Sequence, residues 1–145
     1  VIWIDKMLER KQVIQLYSHA AVFCCPSIYE PFGIINIEAM ACNTAVVASA
    51  VGGIKEVVVN GETGILVPVE QQTEAPFEPV NPDKFARDLA EGINNVINNP
   101  TLRNSMAQKG RKRVEEYFDW ISIAKQTEEL YKSLKKQHQN KSTFL

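Results

Sequence analysis

Several absences narrow the reading of this chain. No apolar run approaches the roughly 20 residues a bilayer span needs, and the first residues show no signal-peptide pattern. No Gly-x-Gly-x-x-Gly follows any predicted strand, which argues against a dinucleotide-binding domain of the dehydrogenase kind. No Asp-x-Asp pair occurs, and the four aspartates, Asp5, Asp83, Asp88 and Asp119, are scattered. Of the three cysteines, no pair has metal-ligand spacing. Cys24 and Cys25 are adjacent in an apolar run, so their side chains face opposite sides of a strand. Cys42 lies at a predicted helix end. All three read as small apolar residues in a reducing, cytoplasmic setting. No metal site is expected.

Charge excludes a further class. The net charge is −1, but residues 1–100 carry 6 basic and 12 acidic side chains, and residues 101–145 carry 10 basic and 5 acidic ones. A basic end invites a nucleic-acid reading. Here the basic residues lie on helical faces interspersed with Glu, and no aromatic ladder accompanies them. They read as a solvated helical surface, with no nucleic-acid partner. At 145 residues, 45% hydrophobic and 23% charged, one soluble globular domain with a sizeable core is expected. The chain starts without Met on Val1-Ile2-Trp3-Ile4, already strand-like. It reads as part of a longer protein, cut at its N-terminal edge.

The apolar pattern then alternates. Val1–Ile4 predicts a strand and Asp5–Leu8 a connection. Glu9–His19 predicts a helix with Val13, Leu16, Tyr17 and Ala20 at helical spacing; His19 suits its C-terminal dipole. Ala21–Cys25 and Ala45–Ser49 are continuous apolar strands of the kind buried on both faces of a parallel sheet. Gly33–Cys42 is a helix, closed by Asn43 as a left-handed cap. Ile54–Val59 is a short helix and Ile65–Val67 a fourth strand, stopped by Pro68. Glu70–Asn81, acidic and carrying Pro76 and Pro79, reads as an exposed loop. A helix starts at Asn81-Pro82 with Phe85, Leu89, Ile93, Val96 and Ile97 on one face. A second helix is capped by Thr101, and a third starts near Asp119. Trp3 and Trp120 are expected in the core. Residues 1–136 form the domain, and 137–145 a polar tail. This β-α-β-α-β-α-β order predicts a doubly wound, Rossmann-like α/β fold with a parallel sheet and extra C-terminal helices.

Chemistry concentrates at the junction after the second strand, Ser27 to Ala41. Glu30 and Glu38 stand with seven residues between them, and Gly33 opens the helix. Strand-to-helix turns are where open α/β sheets hold ligands, and a helix N-terminus offers N–H groups to an anion. Glu38 lies about five residues into the helix, roughly 7–8 Å along its axis. That matches the reach from a nucleoside diphosphate's phosphates to its ribose, whose diol an ionised carboxylate can accept from. Glu30, before the turn, is placed to accept from hydroxyls of whatever the diphosphate carries. Gly33 permits close backbone approach.

At these residues the chain resembles a known family. Pro-Ser-x-Tyr-Glu-Pro-Phe-Gly-Ile-x-x-x-Glu-Ala-Met-Ala, then Val-Val-Ala-Ser-x-Val-Gly-Gly-Ile-x-Glu-Val-Val, then Gly-x-Thr-Gly-Ile-Leu-Val-Pro, is similar to retaining glycosyltransferases of the GT-B fold, family 4. With Phe118-Asp119-Trp120 it is most similar to their bacterial glycogen synthase branch. The resemblance implies the C-terminal, donor-binding half of such an enzyme. It implies that Glu30 contacts the donor sugar and is the candidate catalytic residue. The backbone at Pro31, Phe32, Gly33 and Ile34 would hold sugar and diphosphate, and Glu38 the ribose. Met7 and Leu8 would border the base, and Gly52 and Gly53 would lie beside the site. The implied reaction moves glucose from a nucleoside diphosphate, ADP-glucose favoured, to an α-glucan. It needs no metal or other cofactor. In the family an N-terminal domain binds the acceptor, and basic side chains for the diphosphate lie on a segment before the strand at Val1, so the isolated chain is expected to bind donor weakly and be inactive. Asn43, Ala45 and Lys55 stand where the family has Gly, Pro and Pro.

The alternatives are a family-4 transferase using a UDP-sugar with a sucrose-forming, thiol-sugar or lipid-linked acceptor, and a non-catalytic nucleotide-binding module. A phosphorylase or epimerase half sharing the shape is a further rival, although Lys55 is a poor pyridoxal site. Glu56 reads as a structural helix residue.

Overall fold

The computed structural model describes residues 1–142, with side chains through residue 138. The elements run α1 (Arg10–His19), β1 (Phe23–Cys25), α2 (Ile34–Ala41), β2 (Val46–Ser49), α3 (Ile54–Val57), β3 (Gly64–Val67), α4 (Pro82–Asn98), α5 (Pro100–Tyr117) and α6 (Trp120–Ser142). The three strands form one parallel sheet in the order β1-β2-β3. Phe23 stands opposite Val46, and Val46 opposite Gly64.

The strands are apolar throughout because both sheet faces are covered. On one face Cys25, Val46 and Ala48 pack with Ala39 and Met40 of α2 and Ile54 and Val57 of α3. On the other, Ala45, Val47 and Val67 pack with Val96 of α4 and Met106 of α5. Helix α5 serves both layers, since its Val114 joins the first cluster. Gly110 lets α5 approach α2: a Cβ there would stand 3.1 Å from the Met40 side chain.

Helix α2 ends as its sequence predicts. Asn43 is left-handed, with φ of 61°. Its N–H bonds to Met40 O at 2.9 Å and that of Thr44 to Ala39 O at 3.1 Å, the paired closure of a Schellman motif. Asn carries a Cβ that glycine lacks, so Asn43→Gly is expected to raise stability by up to about 1 kcal/mol and Asn43→Ala to lower it by about 1 kcal/mol. Urea unfolding checks both signs.

Four expectations are corrected. Val1–Ile4 forms no strand: a strand needs a ladder partner, and these residues are exposed and unpaired among the described residues. Trp3 is 84% exposed and Trp120 87%, so neither is core. Asn99, not Thr101, caps α5, its side chain accepting from Leu102 N–H at 3.0 Å. Residues 137–142 of the expected tail continue α6; residues 143–145 lie outside the described residues. The excursion from Glu70 is also more ordered than an open loop. An antiparallel bridge joins Gln71 to Pro79, flanked by Gln72 N–H to Glu78 O at 2.9 Å and Val80 N–H to Glu70 O at 2.8 Å.

Among the described residues no helix is long and apolar enough to cross a membrane.

Candidate functional site

The loop between β1 and α2 is held at every few residues. Ser49, buried at the end of β2, donates its hydroxyl to the carbonyls of Cys25 and Ser27. Gln71 donates to Ile28 O at 2.6 Å. Gly53 N–H bonds to Glu30 O at 3.1 Å. Phe32 packs edge-on against Phe118 at the end of α5, ring centroids 6.2 Å apart. Arg113 lies over Phe118 and donates to the last carbonyls of α3, Val57 O at 2.9 Å and Glu56 O at 2.7 Å. The turn is thereby braced from β2, α3 and α5 together.

Gly33 is the N-cap of α2 with φ of 96°, a conformation that favours glycine. A Cβ there would also stand 2.9 Å from Asn36 Nδ2 and 3.2 Å from Ile54. The Gly33 N–H donates to Glu30 Oε1 at 3.0 Å. Glu30 thus spends one carboxylate oxygen on its own turn and keeps the other without a hydrogen-bond partner among the described residues. The next two N–H groups of the helix, at Ile34 and Ile35, find no acceptor among the described residues. Free N–H groups at a helix N-terminus, backed by the dipole, are an anion-binding arrangement.

Asn36 adds a further tie to the turn. It is fully buried in an otherwise apolar helix turn, and its Nδ2 donates to Gly33 O at 3.3 Å. Its Oδ1 has no hydrogen-bond partner among the described residues. Glu38, two residues further along the helix, is exposed. Tyr17 of α1 reaches it, hydroxyl to Oε2 at 3.4 Å. Burial first, and the Glu38 charge second, raise the Tyr17 pKa above its ordinary value. Tyr17 therefore stays a neutral donor to Glu38 at neutral pH. Any stability from this shift is complete below about pH 10 and is lost as pH rises through the higher folded value.

Gly52 and Gly53 lie directly against the loop. A Cβ on Gly52 would meet Glu30 O at 2.0 Å, and one on Gly53 would meet Pro31 O at 2.4 Å. The second glycine turn is thus the floor on which Glu30, Pro31 and Phe32 rest. Met7 and Leu8 are not drawn into this arrangement by any hydrogen bond or ring contact among the described residues. Leu8 instead lines an open apolar groove with Ile4, Leu16 and His19. Among the described residues no group of three His, Cys, Asp or Glu side chains could hold a metal ion.

Tyr17, Asn36 and Gln71 were missing from the sequence-derived site. Asn36 had a signal, a lone polar residue between isoleucines in an apolar helix. Gln71 had none: its partner Ile28 is 43 residues away.

Residues 1–76 match the family model described as glycosyl transferases group 1. The α-maltose-1-phosphate synthase of Mycolicibacterium smegmatis is 45% identical over 134 residues, 92% of this chain and 33% of that protein. The glycogen synthase of Mycobacterium tuberculosis is 31% identical over 129 residues, 89% of this chain and 28% of that protein. The chain therefore spans about a third of the length of these relatives. Among solved structures, sucrose-phosphate synthase from Thermosynechococcus elongatus superposes with a TM-score of 0.70 at 39% identity, covering 88% of this chain and 28% of that one. Anabaena HepE, solved in complex with UDP and glucose, gives 0.67 at 28% identity, covering 86% and 30%. With the family model matching more than half of the residues, and with a parallel α/β sheet shared with these enzymes, this chain belongs to the glycosyl transferases group 1 and has the fold of GT-B glycosyltransferases.

Proposed function

We propose that this chain is the donor-binding domain of a retaining glycosyltransferase that moves glucose from a nucleoside diphosphate to an α-glucan, as in glycogen synthesis. One observation carries the reading: the glycine-opened N-terminus of α2 has two N–H groups with no acceptor among the described residues and is bracketed by Glu30 and Glu38. The diphosphate takes the N–H groups at Ile34 and Ile35. Glu38 accepts from the ribose hydroxyls. The free oxygen of Glu30, with the backbone from Pro31 to Gly33, takes the sugar. As the bond between sugar and phosphate breaks, charge develops on the leaving diphosphate. The helix N-terminus is already oriented toward that charge, so it stabilises the transition state without reorganising. No metal or other cofactor is needed for this role. The anomeric configuration is retained, and Glu30 acts by binding rather than as a nucleophile.

ADP-glucose is the favoured donor. UDP-glucose is the second reading, supported by the UDP and glucose held in the similar HepE structure. Gly52 and Gly53 border the site in this reading, while the base-bordering role expected of Met7 and Leu8 has no contact in the structure to support it. In this reading the acceptor is bound by an N-terminal domain and the diphosphate meets basic side chains of a segment that precedes the first residues of this domain, so residues 1–145 are expected to bind donor weakly and to transfer nothing by themselves. A cytoplasmic location follows from such a donor.

Calorimetry with ADP-glucose, UDP-glucose and NADH tests the class. Binding of either sugar nucleotide supports it, and binding of NADH alone sinks it. Glu38→Ala is expected to weaken UDP or ADP binding about ten-fold or more, the loss of a charged acceptor. Its unfolding midpoint should barely move, because Glu38 is exposed and its Tyr17 contact is long. An unchanged nucleotide affinity would remove Glu38 from the site.

A further inference from the structure

Asn36 does not serve folding well where it stands. It is the third residue of α2, a helix in which every other residue except Glu38 is apolar, and it is fully buried. Its Oδ1 has no hydrogen-bond partner among the described residues. A buried amide left half unsatisfied costs free energy that an apolar side chain of similar shape would not. The other end of the amide has a definite target. Nδ2 donates to Gly33 O at 3.3 Å, and the Asn36 backbone N–H donates to the same oxygen at 3.0 Å. Room for that amide depends on residue 33 being glycine, since a Cβ there would stand 2.9 Å from Nδ2. The two residues are fitted to one another.

The consequence lies across one peptide bond. Gly33 C=O and Ile34 N–H belong to a single planar unit. Two donors on that carbonyl fix the plane, and with it the direction of the N–H. They also draw charge through the unit, which makes the N–H a stronger donor. Ile34 N–H is one of the two at the start of α2 with no acceptor among the described residues. On the other side of Gly33, its own N–H is taken by Glu30 Oε1 at 3.0 Å. A glycine at φ of 96° would otherwise be free to turn; these bonds hold the peptide units on both its sides. We infer that Asn36 is a positioning residue for the diphosphate, its buried amide holding and polarising the Gly33–Ile34 peptide so that Ile34 N–H is set toward the anion. Asn36 acts through that peptide and does not itself meet the ligand. The inference rests on the donor reading above, in which the diphosphate takes the N–H groups at Ile34 and Ile35.

Asn36→Thr and Asn36→Val compare two side chains of one shape. A threonine hydroxyl within a helix can donate to the carbonyl three residues back, here Gly33 O, and valine has nothing to donate. Residues 1–145 are titrated with UDP and followed by backbone amide NMR, with urea unfolding alongside. Asn36→Thr is expected to bind UDP within about three-fold of the parent and to shift the Ile34 amide as the parent does. Asn36→Val should bind roughly five- to ten-fold more weakly, the loss of one preset donor, with a smaller Ile34 shift. Its urea midpoint should nevertheless equal or exceed that of the parent, because the half-satisfied amide is gone. Uridine, which has no phosphate, should bind all three alike. Asn36→Leu, a second side chain without a donor, should follow valine in affinity and midpoint, and it decides the matter if the β-branched variant does not fold. The proposal is overturned if the valine and leucine variants bind UDP as the parent does, or if threonine is weakened as much as valine. It is equally overturned if affinity falls only in step with the urea midpoint, since Asn36 would then be structural alone. A UDP titration that leaves the Ile34 and Ile35 amides of the parent unmoved would instead overturn the donor reading, whatever the variants do.

Discussion

Gly52→Ala is expected to destabilise the domain by about 3 kcal/mol or more and to lose donor binding with it. The methyl group would sit 2.0 Å from Glu30 O, and that neighbour is backbone, which cannot rotate away. The position also has φ of 45°, strained for any residue with a Cβ. The two glycine turns must separate, and the bond from Gly53 N–H to Glu30 O goes with them. Urea unfolding reads the first effect. Titration of UDP at a temperature where the variant is still folded reads the second. Gly61 is the control. It too has positive φ, 78°, but a Cβ there meets nothing within 4 Å. Gly61→Ala should therefore show backbone strain alone, about 1 kcal/mol, with full UDP affinity. Equal losses at the two positions would deny that packing against the loop matters.

Glu30→Gln separates the two functions of that carboxylate. The amide keeps an acceptor for Gly33 N–H, so stability should stay within about 0.5 kcal/mol of the parent. What changes is charge. Removing a negative group from the helix N-terminus favours an anion there, so UDP alone should bind as well as before or more tightly. A sugar nucleotide should bind more weakly, because the oxygen offered to its hydroxyls has lost its charge. On the proposed reading, glucose transfer by a protein carrying this domain should fall by about 10²-fold or more, the scale of removing one group that acts on the transition state. Glu30→Ala should lose the turn as well and cost UDP affinity. The opposite signs for UDP in the two variants are the diagnostic result. Transfer at the parental rate in Glu30→Gln would remove Glu30 from the chemistry.

Where sequence succeeded and failed follows from the range of the forces involved. The apolar runs at β1 and β2, the capping of α4 by Asn81-Pro82, and the left-handed Asn43 are local matters. Backbone sterics, a cap within three residues and a period of two or 3.6 suffice for each. Strand pairing is not local. Val1–Ile4 has the composition of a strand, but a strand is completed by the neighbour that accepts its ladder, and no described strand does so. The same applies to Trp120 and to the apolar positions of α6, whose helical spacing is real while its apolar side chains stay exposed. An amphipathic pattern announces a face to be covered and does not supply the cover.

The sequence by itself determined the centre of this protein: a glycine at the mouth of an apolar helix, two carboxylates seven residues apart around it, and a second glycine pair at the next turn. Those features need only the helix rise and the conformational freedom of glycine. The tertiary structure alone decided how the centre is held. Glu30 is folded back on Gly33, Glu38 is met by Tyr17 from α1, and Gly52 and Gly53 are pressed against the backbone of residues 30–32. It also decided that a hairpin more than forty residues downstream lays Phe77 on Tyr29. The physical reason is the same in each case. A hydrogen bond or ring contact between distant segments forms only after the sheet and its helices have brought them together, and nothing in either segment records the other.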